Sequence, residues 1–152
     1  MKSILLGLFL LTITLQSQAY PLVPNPAWAQ GSLCNKQNPD YQTDRYAQKI
    51  PYCKRNVEWE LKQELYDLYK VPEKCRGQYT IDHIIPLSIG GDNTAKNLWP
   101  EHKNIKATRL YLEEEVFMAV RDNQMSQKDA IALILKTKKT PVQLKKGNSD
   151  CD

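Results

Sequence analysis

The chain has 152 residues, four cysteines and a formal net charge of +4 at neutral pH. Both signs of charge are spread along the chain, so this mild basic excess permits a polyanionic partner but does not require one. The length is that of one domain. The sequence contains no internal repeat and no low-complexity tract, which excludes solenoid and fibrous architectures.

The first residues have the features of a secretory signal peptide. Lys2 precedes an apolar run over 4–15, and Ser17 and Ala19 fit the small-x-small pattern of a signal-peptidase site. The run is shorter than the roughly twenty residues of a membrane span. We therefore predict a signal peptide over 1–19, whose removal leaves 133 residues and lowers the charge from +4 to +3. A retained N-terminal anchor or a buried helix is the alternative.

The four cysteines are Cys34, Cys53, Cys75 and Cys151. An even number behind a signal peptide indicates two disulfides in an oxidising compartment, which is the periplasm or the extracellular space. The close C-x-x-C pairs of zinc sites are absent from the sequence. Of the three possible pairings we favour Cys53–Cys75, which would hold a helix against the following segment, with Cys34–Cys151 joining the two ends.

The arm over 20–56 contains five of the nine prolines and has no period, so we predict irregular structure there. A helix follows, which Asn56 can cap and which Pro72 and Gly77 end. Its apolar positions fall on one stripe. They are Val57, Leu61, Leu65 and Leu68.

The segment "YTIDHIIPLSI" over 79–89 is rich in β-formers, and "GGDN" after it is typical of a turn, so a hairpin or twisted ribbon is predicted. We expect a compact loop over 97–100, because Pro100 disfavours helix at the residue before it. Trp99 is expected to pack in the core or against this loop. A helical pattern resumes from about His102 and continues to Val120.

The sequence "DNQMS" at 122–126 interrupts this helix, and Ser126 with Asp129 forms a capping box for a last helix. The basic tail over 136–152 is expected to be loosely held apart from Cys151. The elements together predict a single α+β domain, with a core over 57–152 flanked by helices.

Both histidines of the chain, His83 and His102, lie near polar residues that could support chemistry. Asp82 offers a hard anionic oxygen and Asn104 a second oxygen ligand, a set that suits Mg²⁺ or Mn²⁺ and leaves positions for a phosphate. An imidazole with an ordinary pKa of about 6.5 can take a proton from water during phosphodiester hydrolysis. Asn97 is placed to tie the loop back onto the strand that carries His83.

Neighbouring residues on a regular strand point to opposite faces, which separates Asp82 from His83. Both side chains can therefore contact one phosphate only if the strand is twisted or bulged here. Pro86 and the two following glycines favour such an irregularity. The mechanism also requires that the His83 ring reach solvent and that Asp82 and Asn104 approach a common ion.

The segment resembles the HNH endonuclease motif of the ββα-metal type, as found in small bacterial and phage nucleases. The resemblance covers about 25 residues, and it implies a ββα-metal core in which Asp82 binds the metal, His83 is the general base and Asn97 braces the loop. The matching letters are Asp82-His83, Pro86-Leu87, Gly90-Gly91 and Asn97-Leu98-Trp99-Pro100.

The family's last metal ligand is a His or Asn on the following helix, and both His102 and Asn104 are near the expected place. We prefer Asn104, because His102 comes early in the sequence. With His102 the site would be softer and more tolerant of Zn²⁺ or Ni²⁺. Lys103, Lys106 and Arg109 begin this helix and could hold flanking phosphates. A solvated basic face is the alternative.

The expected protein is an exported, disulfide-stabilised endonuclease, taken as a monomer and not attached to a membrane after signal cleavage. It would hydrolyse DNA, or RNA, with one divalent cation, Mg²⁺ or Mn²⁺ ahead of Zn²⁺ or Ni²⁺. Few residues are available to read bases, so sequence preference should be weak. The alternatives are a catalytically silent nucleic-acid-binding module and a disulfide-rich interaction protein.

Overall fold

The computed structural model describes residues 21–143 and Cys151. The expected signal peptide over 1–19 and part of the expected loose tail, residues 144–150 and 152, lie outside the described residues. Within them the chain forms a small mixed α+β domain with two antiparallel sheets and two disulfides. The elements are β1 (Tyr41–Arg45), β2 (Ile50–Cys53), α1 (Trp59–Leu68), β3 (Tyr79–His83), β4 (Leu98–His102), α2 (Lys103–Ala107), α3 (Leu112–Arg121) and α4 (Gln127–Lys139).

The second sheet carries the Asp-His pair. β3 and β4 are antiparallel, with Asp82 opposite Trp99 and His83 opposite Leu98. The loop expected over 97–100 is therefore wrong, and "GGDN" lies inside a longer connection between the strands. A strand can contain Pro100 because β4 has a single partner, so its other edge needs no hydrogen-bond donor.

The arm contains a hairpin that the sequence pattern did not predict. β1 pairs with β2, and the turn between them uses left-handed residues at Tyr46 and Lys49. The hairpin places Cys53 beside Cys34, with which it forms a disulfide.

The favoured disulfide pairing is wrong, because the bonds are Cys34–Cys53 and Cys75–Cys151. The hairpin keeps Cys53 within the arm. Cys75 is buried in a different apolar cluster, together with Leu65, and Cys151 packs against that cluster. Two disulfides fit an oxidising compartment.

Three of the helices differ from their predictions in extent. α1 begins at Trp59 with Glu58 as its N-cap, because the Asn56 side chain donates to Asp40 instead. The helix expected from His102 to Val120 is interrupted over 108–111, between α2 and α3.

α4 confirms its capping box, in which the Ser126 hydroxyl accepts from the Asp129 amide at 3.1 Å. This helix also takes up the first residues of the expected loose tail. In the described part of the chain, no helix has the length and apolar character needed to cross a membrane.

The core consists of three apolar clusters, and β3 with the residues after it contributes to all of them. Ile81 belongs to one cluster, Ile84 to a second and Ile85 to the third. Trp99 is fully buried beside Ile84, which confirms its expected packing role. Because β3 lies where the three clusters meet, Asp82 and His83 are buried.

Candidate functional site

Asp82 and His83 enter two different polar clusters, as the alternation of a regular strand requires. The His83 ring contacts Arg55 and Asn93, whereas the Asp82 carboxylate contacts Lys106 and Lys138. β3 is paired regularly with β4 through both positions. Of the two irregularities expected to bring the side chains onto one side, a twist or a bulge, the bulge is therefore absent.

Both nitrogens of the His83 ring have partners. Nδ1 lies 3.1 Å from Arg55 Nη1, and Nε2 lies 3.0 Å from Asn93 Oδ1. A guanidinium can only donate. Nδ1 is therefore the acceptor, and the ring hydrogen is on Nε2, where it donates to Asn93.

Burial lowers the pKa of His83, the Asn93 hydrogen bond opposes this in part, and the positive charge of Arg55 adds a lesser lowering. The imidazole is therefore neutral near pH 7 and can accept a proton. His83 as a whole is only 4% exposed, which contradicts the expected access to solvent. The side chain of Arg55 lies against the ring at Nδ1, and Arg55 is itself exposed. Movement of this side chain would break its hydrogen bonds to Nδ1 and to the Ile81 carbonyl.

The Asp82 carboxylate holds two ammonium groups. Its Oδ1 lies 2.9 Å from Lys106 Nζ, and its Oδ2 lies 3.0 Å from Lys138 Nζ. Lys138 also donates to the backbone oxygen of His83 at 2.6 Å and pairs with Glu113. Burial alone would raise the pKa of Asp82, but Lys138, a Glu101 hydrogen bond and Lys106 outweigh it and hold this pKa far below its usual range.

Glu101 on β4 extends this network. Burial and then the Asp82 carboxylate raise the pKa of Glu101 to about 7. Its other partner is Arg109, whose side chain is only 7% exposed. Arg109 thus belongs to the internal ion-pair network, which differs from the surface phosphate contact expected for it.

Asn97 makes the bracing bonds that the sequence suggests. Its Oδ1 accepts from the Ile85 amide at 2.8 Å, and its Nδ2 donates to the carbonyls of Ile85 and Asp92 at 2.9 Å each. These bonds tie the loop to the segment directly after β3. The fit excludes a side chain at Gly91, where a Cβ would lie 1.9 Å from the Ile85 oxygen.

The two candidates for the last ligand have different surroundings. His102 is 1% exposed, and its Nδ1 accepts from the Asn104 amide at 3.2 Å, which makes it the N-cap of α2. Its ring also packs edge-on against Tyr79, with centroids 4.9 Å apart. Asn104 is exposed on α2, the helix from which Lys106 reaches Asp82. This arrangement favours Asn104.

Asp82, the expected metal ligand, is the position at which cationic groups gather. Over residues 21–143 and Cys151, no group of three or more His, Cys, Asp and Glu side chains could hold a metal. Asp82 nevertheless already binds positive charge at both oxygens. The Lys106 side chain is 46% exposed and can leave Oδ1, whereas Lys138 is 1% exposed and cannot readily leave Oδ2. Asp82 Oδ1 would then be open to a divalent cation such as Mg²⁺, which keeps several waters, and Asn104 lies on the helix that carries Lys106.

Several residues around the pair were not identified from sequence. Arg55 lies in the arm that was taken as irregular, Asn93 was assigned only to a turn, and Lys138 was assigned to a loose tail. Arginine, asparagine and lysine are common at protein surfaces, so only the contacts of these three residues distinguish them from ordinary surface residues. Lys103 is exposed on α2, as expected of a phosphate contact.

Comparison of the chain with models of known protein families, with curated proteins and with solved structures finds no match. The candidate site is therefore defined by its own residues: a neutral imidazole under an exposed arginine, adjacent in sequence to a cation-binding carboxylate.

Proposed function

We propose that the protein is a metal-dependent endonuclease of the HNH type, which hydrolyses phosphodiester bonds of DNA. The observation that carries this proposal is the His83 ring, which is neutral, oriented at Nε2 by Asn93, and covered at Nδ1 by an exposed arginine. A guanidinium binds phosphate strongly through paired hydrogen bonds. A DNA phosphate would therefore draw Arg55 off the ring and expose the base in the same step.

The chemistry then needs one proton transfer to His83. A water oxygen attacks phosphorus while its proton passes to Nδ1. The bond from phosphorus to the bridging oxygen breaks, and its electron pair stays on the departing oxygen. Arg55 is placed to bind a phosphate oxygen throughout. A divalent cation at Asp82 and Asn104 would neutralise charge on the phosphate and on the leaving group.

The exposed cations around the site support a polyanionic substrate. Lys54 and Arg55 follow β2, and Lys103 and Lys106 begin α2, so basic side chains approach β3 from two elements. Contacts of this kind bind phosphates without reading bases, which agrees with weak sequence preference.

The proposal is tested by incubating the mature protein with supercoiled plasmid in Mg²⁺, Mn²⁺, Zn²⁺, Ni²⁺ or EDTA. We expect nicking and then linear product with Mg²⁺ or Mn²⁺, and no product with EDTA. RNA and single-stranded DNA in parallel reactions define the substrate range. Salt-sensitive binding without cleavage in any metal would instead identify a silent binding module. The absence of both DNA binding and DNA cleavage would favour the remaining alternative, a disulfide-rich interaction protein.

The proposed cation position predicts that removing a nearby positive charge increases the affinity for the metal. Lys106→Met should strengthen Mn²⁺ binding, measured by calorimetry without DNA, because the competing ammonium at Asp82 Oδ1 is gone. A partly exposed ion pair contributes up to about 1 kcal/mol, so the gain should reach about fivefold. Lys128→Met, on the exposed side of α4, is the control with the same charge change. Equal Mn²⁺ affinities in the two variants would place the cation elsewhere.

A further inference from the structure

The Nε2 side of His83 is held by a buried chain of hydrogen bonds that reaches into the arm. Asn93 Oδ1 lies 3.0 Å from His83 Nε2. Asn93 Nδ2 donates to Asp40 Oδ2 and to the Lys54 carbonyl, each at 2.8 Å. Asn93 is 6% exposed and Asp40 is 9% exposed, so water has little access to these bonds.

The partners of Asn93 determine which way its amide faces. A carboxylate and a backbone carbonyl are both acceptors, so the group between them must be the NH₂, and both of its hydrogens are used. The amide oxygen is then left to face His83. Since this oxygen can only accept, His83 must carry its hydrogen on Nε2, and the lone pair is on Nδ1.

Asp40 is itself held in place by neighbouring parts of the arm. Its Oδ1 accepts from Asn56 Nδ2 at 2.9 Å, and its backbone oxygen accepts from the Lys54 amide at 3.1 Å. Three consecutive residues therefore contact the ring or the chain of bonds behind it: the Lys54 carbonyl accepts from Asn93, the Arg55 guanidinium donates to Nδ1, and the Asn56 amide donates to Asp40. The Cys34–Cys53 disulfide ends directly before them.

We propose that Asp40 and Asn93 are positioning residues that hold His83 in the Nε2–H tautomer and so make Nδ1 the atom that accepts the proton. This role rests on the proposed function, in which His83 is the general base. Through Asp40, the arm over 20–56 thereby contributes to the site. Loss of such an orienting partner typically costs about 10- to 100-fold in activity.

The tautomer can be measured without any cleavage assay. Long-range ¹H–¹⁵N spectra of the imidazole nitrogens distinguish the two neutral tautomers, and the chain has only two histidines. Comparison with His83→Gln assigns the signals of His83. We expect the Nε2–H form in the unmodified protein and in Arg55→Met, which has no donor at Nδ1, and a mixture of tautomers when Asn93→Ala or Asp40→Ala is added to Arg55→Met. Asp44→Ala is the matched control, because this carboxylate lies on β1 but pairs with Lys36 outside the chain of bonds.

In the cleavage assay, Asn93→Ala and Asp40→Ala should lower kcat about 10- to 100-fold with KM little changed, and Asp40→Asn should recover part of the loss because it keeps an acceptor oxygen. An Nδ1–H signal in the unmodified protein would overturn the inference, and this observation requires no variant to fold. An unchanged tautomer when either alanine substitution is combined with Arg55→Met would overturn it as well. If the protein cleaves no DNA, the proposed function fails, and the spectra still decide the tautomer separately.

Discussion

Replacement of His83 by glutamine is expected to lower the rate of DNA cleavage by about 10²- to 10⁴-fold, the usual contribution of a general base. The glutamine side chain can donate to Asn93 and accept from Arg55, so the hydrogen bonds around position 83 can be retained. An amide cannot take a proton near neutral pH. Single-turnover cleavage of plasmid at saturating Mg²⁺ measures this loss directly.

DNA affinity measured in EDTA separates binding from chemistry for the same variant. We expect it to stay near that of the unmodified protein, because the arginine and lysine side chains are unchanged. Arg121→Gln is a suitable remote control, since this exposed residue on α3 pairs with Asp122 and not with the site. A His83→Gln rate within tenfold of the control, in protein with unchanged thermal unfolding, would show that His83 is not the base.

Lys138→Met is expected to lower the free energy of unfolding by about 3–5 kcal/mol, the range found when one partner of a buried ion pair is removed. Lys138 is 1% exposed, and it binds the Asp82 carboxylate, the His83 carbonyl and Glu113. Burial alone would lower the pKa of Lys138, but Asp82 and Glu113 raise it, so the side chain is charged. Methionine fills much of the space and leaves these acceptors without their shared donor.

Urea denaturation with the disulfides intact measures this change. Lys136→Met is the matched control, because Lys136 is exposed two residues earlier in α4. A surface substitution of this kind should change stability by less than about 0.5 kcal/mol. A loss below about 1 kcal/mol for Lys138→Met would mean that the network does not depend on this ammonium. Failure of this variant alone to fold would agree with the expected large loss.

Features that depend on neighbouring residues could be predicted from the sequence. The capping box at Ser126 is one, because its partner is three residues away. The strand character around Asp82 and His83 is another, because the local richness in β-formers indicates it. The bracing by Asn97 was predicted from its position after the strand, in agreement with the resemblance, and its bonds to Ile85 span 12 residues.

Predictions failed where the sequence was equally compatible with several local arrangements. The pattern after His102 is compatible with one helix, yet the chain ends α2 at Ala107 and starts again at Leu112. The four cysteines allowed three pairings, and composition does not rank them. The hairpin of the arm decided the pairing, because it returns Cys53 to Cys34.

By itself, therefore, the sequence determined the class of the domain, the positions of α1 and α4, and the Asp-His pair on a strand, since each follows from contacts within a few residues. Only the tertiary structure decided which groups surround that pair. Lys138 is 56 residues from Asp82, Asp40 is 53 from Asn93, and Arg55 is 28 from His83. Such residues meet because the apolar clusters pack the arm and α4 against β3, and once buried there their charges must find partners.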